Sequence, residues 1–336
     1  MKQGKRNLIT DVPGIRVGHK TIAKGDIQTG VSVLLPCAGS IFRNKFAAAC
    51  HVINGFAKSV GLLQIEELGT LESPIAMTNT LSVGTVQQAL VNYMTARHPE
   101  IGTLTGTVNV VVTECNDSYL NDIRACAVTA QDVLDAIDAA SEDFALGAVG
   151  AGRGMSCFEM KGGIGSASRL ITLDQQEFTL GALVLTNFGC RNDYIGQEAG
   201  QLKPAIPQPE QGSIIIVLAT DLPLEARQLK RVCRRMPAAL ARTGSHLGNG
   251  SGDVVIAFST ANRLGSNAGG GPREHTVRTL SHGCMDPLFR ATVEATHEAI
   301  VNALCAATDT DGILGRRMYA LPLDEVRGIM RRYESL

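Results

Sequence analysis

The segment Gly248-Asn249-Gly250-Ser251-Gly252-Asp253 runs straight into Val254-Val255-Ile256-Ala257-Phe258, and this junction constrains the fold more than any other stretch. A short apolar run rich in β-branched residues, closed by the polar Ser259-Thr260 pair, reads as a core strand. The glycines ahead of it permit backbone angles that other residues avoid and let another group approach the peptide closely. Two readings follow. One is a tight glycine turn between a helix and a strand. The other is a serine held at the mouth of a core strand for chemistry, where a strained, open peptide lets the hydroxyl attack the Gly250 carbonyl. That attack would leave Ser251 as a new N-terminus. The hexapeptide alone leaves both readings open.

Other runs of the same kind occur at Gly30–Leu35, Val108–Thr113, Leu180–Thr186 and Ser213–Ala219. Helical patterning predicts helices over Ala47–Glu67, Val83–Arg97, Ala130–Ala140, Leu224–Thr243, Pro287–Ala307 and Leu323–Tyr333. Gly55 and Gly61 interrupt the first of these, each at a cost of ~1 kcal/mol relative to alanine. Asp286 and Pro287 read as the N-cap and first position of the fifth. Long helices mixed with glycine-bounded strands predict an α/β or α+β layered architecture. The proline- and glycine-rich stretch from Gly196 to Gly212 lies between two core strands, so it reads as a surface excursion within a single domain spanning residues 1–336.

Composition removes several function classes. The 336 residues carry a net charge of −1 and only 4% aromatic residues, with no tryptophan. That balance offers neither an electrostatic footprint for nucleic acid or an anionic membrane nor a base-stacking surface. Nine cysteines are scattered singly without a CxxC pair, which argues against a zinc knuckle or disulfide framework and fits a reducing compartment. No apolar run reaches the ~18 residues of a membrane span, and no signal-peptide core follows the basic N-terminus. The expectation is a soluble, cytoplasmic protein that binds neither nucleic acid nor membrane.

Several motifs could carry chemistry. The glycine loop Gly147–Gly154, followed by Lys161-Gly162-Gly163-Ile164-Gly165, lacks both GxxxxGK[ST] and a properly placed GxGxxG, so a nucleotide site is not supported. Thr113-Glu114-Cys115-Asn116-Asp117 follows a strand, where ligands are met in layered folds. Glu114 there could bind an ammonium group, whereas Asp117 and Asp122 read as turn braces. Asn187-Phe188-Gly189 ends another strand; its amide could donate to an oxyanion, a contribution of ~3 kcal/mol in other hydrolases, or simply form a turn. No HExxH metal set and no GxSxG elbow are present, and His246 is a weak candidate base. The fifth helix carries Thr292 with Glu294 and, one turn on, Thr296 with Glu298. Positions i and i+2 diverge by ~200° on a regular helix.

These pieces, in this order, carry a resemblance. Asp11–His19, Thr78–Gly84, Thr113–Asp117, Gly150–Gly152 with Lys161–Gly165, Asn187–Gly189 and Ala241–Ser245 leading into Gly250–Asp253 are similar to the DmpA-type aminopeptidases, which comprise L-aminopeptidase/D-esterase and β-peptidyl aminopeptidase enzymes. The likeness runs from about residue 9 to the C-terminal helix. It implies a four-layer αββα sandwich shared with ornithine acetyltransferases and layered like the N-terminal-nucleophile hydrolases, with different connectivity. It implies cleavage between Gly250 and Ser251 into residues 1–250 and 251–336, which stay together, commonly as a tetramer of such pairs. Neither metal nor organic cofactor is implied. Substrates would be peptides, amides or esters with a free amino group, some members accepting D-residues or β-peptides.

Residue by residue, the resemblance makes Ser251 the nucleophile for self-cleavage and then for substrate, Asn187 the oxyanion donor and Glu114 the acid near the substrate amine. Thr292 and Glu294 match a hydroxyl-x-glutamate pair near the nucleophile, with Thr296 and Glu298 as the other alignment. Asn116 departs from a tyrosine found in some members, which bears on substrate preference. The base could be the freed Ser251 amine, since an α-amine ordinarily titrates near ~8, or Glu294 through Thr292, or water. Two other functions fit the same scaffold: an acyltransferase or amidase passing the acyl group to an amine, and a non-catalytic metabolite-binding protein.

Overall fold

Alternation along the central strands sets the layers. The computed structural model describes residues 1–194, 212–265 and 274–334. In chain order the strands are β1 (Arg16–Lys24), β2 (Ile27–Leu35), β3 (Asn44–Gly55), β4 (Thr70–Leu71), β5 (Ile75–Asn79), β6 (Val111–Cys115), the short ribbon β7 (Ser156–Cys157) and β8 (Met160–Lys161), β9 (Gly163–Leu173), β10 (Gln176–Asn187), β11 (Ser213–Thr220), β12 (Gly252–Gly265) and a second ribbon, β13 (Thr310–Asp311) and β14 (Arg317–Met318). The α-helices among the described residues are α1 (Leu62–Leu68), α2 (Val83–Arg97), α3 (Ala130–Asp138), α4 (Ala226–Cys233), α5 (Met236–Thr243), α6 (Met285–Ala306) and α7 (Leu323–Glu334).

Sheet one has the order β1-β2-β5-β6 and sheet two the order β4-β3-β12-β11-β10-β9. In sheet two only β11 and β12 run parallel. Ile215, Val217, Val254, Ile256 and Phe258 enter a core shared with residues of sheet one, α2 and α3. Their neighbours Ile214, Ile216, Leu218, Val255 and Ala257 enter the other core, against α4, α5 and α6. Strands covered on both faces lose the polar half of the usual alternation and read as unbroken apolar runs. Each buried Ile, Leu or Val contributes ~1.5–3 kcal/mol relative to exposure. Helices α2 and α3 cover sheet one, while α4 and α6 cover sheet two. The architecture is the four-layer αββα sandwich.

Helix α6 lies close on sheet two because β9 presents glycine where it passes. A Cβ at Gly165 would fall 1.9 Å from the Ala299 carbonyl oxygen. The helix therefore touches the sheet through Ala295, Ala299 and Ala303, all buried.

Some sequence expectations change. The predicted helix Ala47–Glu67 begins as strand: β3 covers Asn44–Gly55, and only Leu62–Leu68 is helical. Ala47 and Ala49 face one core while Ala48 and Cys50 face the other, and pairing with β12 overrides the helical preference of alanine. The predicted helix Leu224–Thr243 divides into α4 and α5, since Pro237 is tolerated only in a first helical turn. Helix α6 starts at Met285 with Cys284 as its N-cap, so Asp286 sits inside the first turn. The strand expected at Val108–Thr113 is displaced to Val111–Cys115. The surface excursion at 196–212 lies outside the described residues except for Gly212. No helix among the described residues is long and apolar enough to cross a membrane.

Candidate active site

One row of paired residues runs across four strands of sheet two. Asn187 on β10 pairs with Ser213 on β11, Ser213 with Gly252 on β12, and Gly252 with Gly55 on β3. Ser251 stands one residue before this row, at the end of sheet two where β11 and β12 begin. Gly252 must lack a side chain, because a Cβ would lie 2.6 Å from the Phe56 carbonyl oxygen. Its N–H donates to Ser213 Oγ at 3.1 Å and the Gly212 carbonyl at 3.2 Å. The Ser251 N–H closes a turn onto the Gly248 carbonyl at 3.0 Å.

The Ser251 hydroxyl is buried and donates to Asp253 Oδ1 at 2.5 Å. The same oxygen accepts from the Ile214 N–H at 3.2 Å, and Oδ2 accepts from Asn54 Nδ2 at 3.0 Å. Asn54 Nδ2 also reaches the Leu247 and Gly248 carbonyls, at 3.1 and 3.2 Å. One amide therefore ties the glycine loop to the carboxylate that holds the serine. Leu247, in that loop, is left-handed at φ 61°, a conformation that costs a branched residue ~1–2 kcal/mol. Neither Gly248 nor Gly250 has positive φ, so the left-handed residue of this loop is Leu247.

A cleft of about 380 Å³ opens beside this turn, lined by Phe56, Lys58, Thr80, Glu114, Asn116, Asn187, Gly212, Ser213 and Gly250. Three sequence-selected positions thus meet around one space: the Gly250–Ser251 junction, Asn187 and Glu114. Asn187 ends β10 with Oδ1 accepting from the Ser156 N–H and Nδ2 donating to the Asn116 carbonyl, both at 2.9 Å. A primary amide has two hydrogens on nitrogen. The second has no acceptor among the described residues.

Glu114, on β6, is only 2% exposed. Oε1 accepts from the Lys58 N–H at 2.8 Å and Oε2 from Thr80 Oγ1. It forms no ion pair among the described residues, so its charge faces the cleft with neutral donors only. A carboxylate held in this way can take a cation from the cleft. Asn116 contributes its carbonyl to Asn187, and its side chain accepts from the Ser118 N–H.

Thr292 and Glu294 are not brought to this cleft. Arg169, which reaches Glu294 at 3.5 Å, pairs with Leu180, seven residues up β10 from Asn187. At ~3.3 Å per residue this is about 23 Å along the strand. Thr292 is fully buried and donates to the Leu288 carbonyl at 2.7 Å. Glu294 binds the chain's N-terminal amine at 2.6 Å and Arg290 at 2.7 Å. Burial pushes its carboxyl up, but these cations outweigh burial and hold it at about 2. The alternative pair fares the same way: Thr296 Oγ1 contacts Met236 Sδ at 3.2 Å, and Glu298 binds Gln3, Asn7 and Arg169.

The glycine-rich loop has a different use from phosphate binding. Lys161 is fully buried and donates to the Gly152, Met155 and Gly162 carbonyls at 2.9, 2.6 and 2.7 Å. Burial moves its pKa well below the ordinary lysine value. Lys161 Nζ closes the loop upon itself and shapes the wall next to Asn187. Among the described residues no His, Cys, Asp and Glu cluster could hold a metal. Asp253, Asn54, Thr80 and Lys58 belong to the site although sequence patterning did not select them. Asn54 and Gly55 are the last residues of β3, paired with Asp253 and Gly252.

A serine at a glycine-bounded strand mouth, an amide and an amine-receptive carboxylate agree with what the chain is similar to. Peptidase family S58 matches residues 7–318. The β-peptidyl aminopeptidase BapA of Sphingosinicella microcystinivorans is 36% identical over 100% of this chain and 90% of that protein. The crystal structure of the PH0078 protein from Pyrococcus horikoshii OT3 superposes with a TM-score of 0.94 at 48% identity, over 99% of this chain and 96% of that one. The L-aminopeptidase D-Ala-esterase/amidase of Ochrobactrum anthropi, described as a prototype of the serine aminopeptidases and a variant of the Ntn hydrolase fold, does so with a TM-score of 0.93 at 34% identity, over 99% and 96%. With the family model matching residues 7–318 and a relative 36% identical over the whole chain, the protein belongs to peptidase family S58.

Proposed function

We propose that this S58 peptidase is a serine aminopeptidase that first cuts its own chain between Gly250 and Ser251 and then uses Ser251 on peptides, amides or esters bearing a free amine. The observation that carries this reading is the Ser251 hydroxyl donating to Asp253 at 2.5 Å inside a glycine turn whose Gly250 lines the cleft. In the first step Asp253 accepts the hydroxyl proton and Oγ bonds to the Gly250 carbonyl carbon. The Gly250–Ser251 C–N bond breaks, the Ser251 nitrogen takes up a proton, and water hydrolyses the resulting ester. Residues 1–250 then end in a carboxylate at Gly250 and the new chain begins at Ser251.

In the second stage Glu114 holds the substrate ammonium. Ser251 attacks the acyl carbon, and Asn187 donates its second N–H to the oxyanion, an interaction worth ~3–4 kcal/mol in other hydrolases. The freed Ser251 amine, like any α-amine titrating near ~8, lies close enough to neutrality to relay the proton. The amine departs, and water releases the acid.

The test is product analysis with an aminoacyl p-nitroanilide, without and with a large excess of a primary amine. Free amino acid as the main product in both supports the aminopeptidase reading. A new amide dominating whenever amine is present would favour an acyltransferase. No turnover by wild-type protein, or equal turnover by Ser251→Ala, would contradict the reading.

A further inference from the structure

The cleft carries one positive charge as well as one negative, and the two differ in how they are held. Lys58 gives its backbone N–H to Glu114, while its side-chain ammonium is held elsewhere. Its Nζ donates to the Phe56 carbonyl at 3.3 Å and sits 3.8 Å from the centre of the Phe56 ring. That carbonyl is the one abutting Gly252, and the Phe56 N–H in turn donates to the Ser251 carbonyl at 3.3 Å. The ammonium is therefore on the Ser251 side of Glu114, one lysine side chain away from it. No carboxylate among the described residues pairs with the Lys58 ammonium, whose contacts there are the Phe56 carbonyl and ring. Phe56 is 65% exposed, an apolar shelf beneath the charge.

Resting on the aminopeptidase reading above, we propose that Lys58 binds the carboxylate of the departing fragment, so that the preferred substrates are short zwitterionic peptides. The geometry divides the substrate between two charges. Its ammonium meets Glu114, its scissile carbonyl lies over the Ser251 row, and its C-terminal carboxylate reaches Lys58. A carboxylate can displace the weak carbonyl contact at Lys58 and gain a charge-assisted hydrogen bond. Such a contact forms only when the fragment beyond the scissile bond is short. In longer peptides the terminal carboxylate passes beyond the side chain's reach. Exposure of Lys58 makes the preference salt-sensitive.

The test compares kcat/KM for a dipeptide with a free C-terminus and for the same dipeptide as its C-terminal amide. It uses fully processed wild-type enzyme, Lys58→Met and Lys58→Arg. The expected result is a wild-type acid-to-amide ratio of roughly ten, the factor of ~1.4 kcal/mol, falling as salt rises. Lys58→Met should bring the ratio near one, and Lys58→Arg should keep most of it. A wild-type ratio near one, or a ratio unchanged in Lys58→Met, overturns the inference and leaves the aminopeptidase reading standing. Wild-type enzyme inert on both substrates overturns that reading and this inference with it.

Discussion

Asp253→Asn separates the chemistry of the serine from the folding of its loop. In the native site one carboxylate oxygen serves Ser251 Oγ and the Ile214 N–H, and the other serves Asn54 Nδ2. An asparagine keeps one oxygen. If that oxygen stays with Ser251 and Ile214, its NH2 faces the Asn54 NH2; if it turns, the NH2 faces the Ile214 N–H. Either arrangement sets donor against donor. A buried donor left without its acceptor costs ~1–3 kcal/mol. Asn54 retains the Leu247 and Gly248 carbonyls, so the low end, about 1 kcal/mol, is expected for stability. The chemical loss is larger, because a positioned base contributes ~10²–10⁴-fold. Following conversion of the full chain into two bands over time, beside a urea melt of the same sample, reads both quantities. The expected outcome is a folded chain destabilised by about 1 kcal/mol that cuts at least ~10²-fold more slowly. A chain as stable as that and cut at the wild-type rate would refute the role given to Asp253.

Three further outcomes follow from the site and its surroundings. Glu114→Gln removes the charge but keeps one oxygen for the Lys58 N–H, and the Thr80 hydroxyl can turn to accept from the new NH2, so kcat/KM for free-amine substrates should fall by ~10–100-fold, the equivalent of ~1.5–3 kcal/mol for a charge-assisted bond, while N-acetylated esters change little; equal losses on both would remove Glu114 from amine binding. Asn187→Ala should lower kcat by ~10²–10³-fold in chains already cut, and an unchanged rate would exclude it as oxyanion donor. His19 is held neutral by burial, which lowers its pKa from 6.5 to about 4 against a smaller opposing effect of the Ala145 carbonyl. Its contribution to stability is therefore present above pH ~6.5 and lost as pH falls toward 4; His19→Gln should flatten that limb of a melting-temperature profile, and an unaltered acid limb would refute the assignment.

The layered fold could be read from the sequence where both faces of a strand are covered. Ser213–Ala219 and Val254–Phe258 are apolar without interruption because helices lie on one side and sheet one on the other. Strand β3 was hidden for the opposite reason. Its alanines favour a helix locally, and the partner that makes them a strand, β12, lies some two hundred residues later in the chain. Asn54, Phe56 and Lys58 all fall within the predicted helix Ala47–Glu67, so their place at the cleft was hidden with it.

Asp253 was in plain view beside Ser251, but a turn motif does not reveal which side chain points back at the hydroxyl. Thr292 and Glu294 fail at the cleft for a reason already present in their spacing. Helix α6 is regular through them, so Thr292 turns into the core while Glu294 turns out toward Arg169 and the N-terminus. The resemblance led to strand ends that the fold gathers at one cleft and to a helix pair that it keeps away from it.

The central claim is that the division of this chain falls inside one domain, at the Gly250–Ser251 peptide. Intact-mass analysis of the purified protein under denaturing conditions, followed by N-terminal sequencing of the smaller species, tests it most directly. The account predicts two species corresponding to residues 1–250 and 251–336, the second beginning Ser251-Gly252-Asp253, and a single uncut chain for Ser251→Ala. A single species corresponding to residues 1–336 in wild-type protein that hydrolyses aminoacyl amides would contradict it.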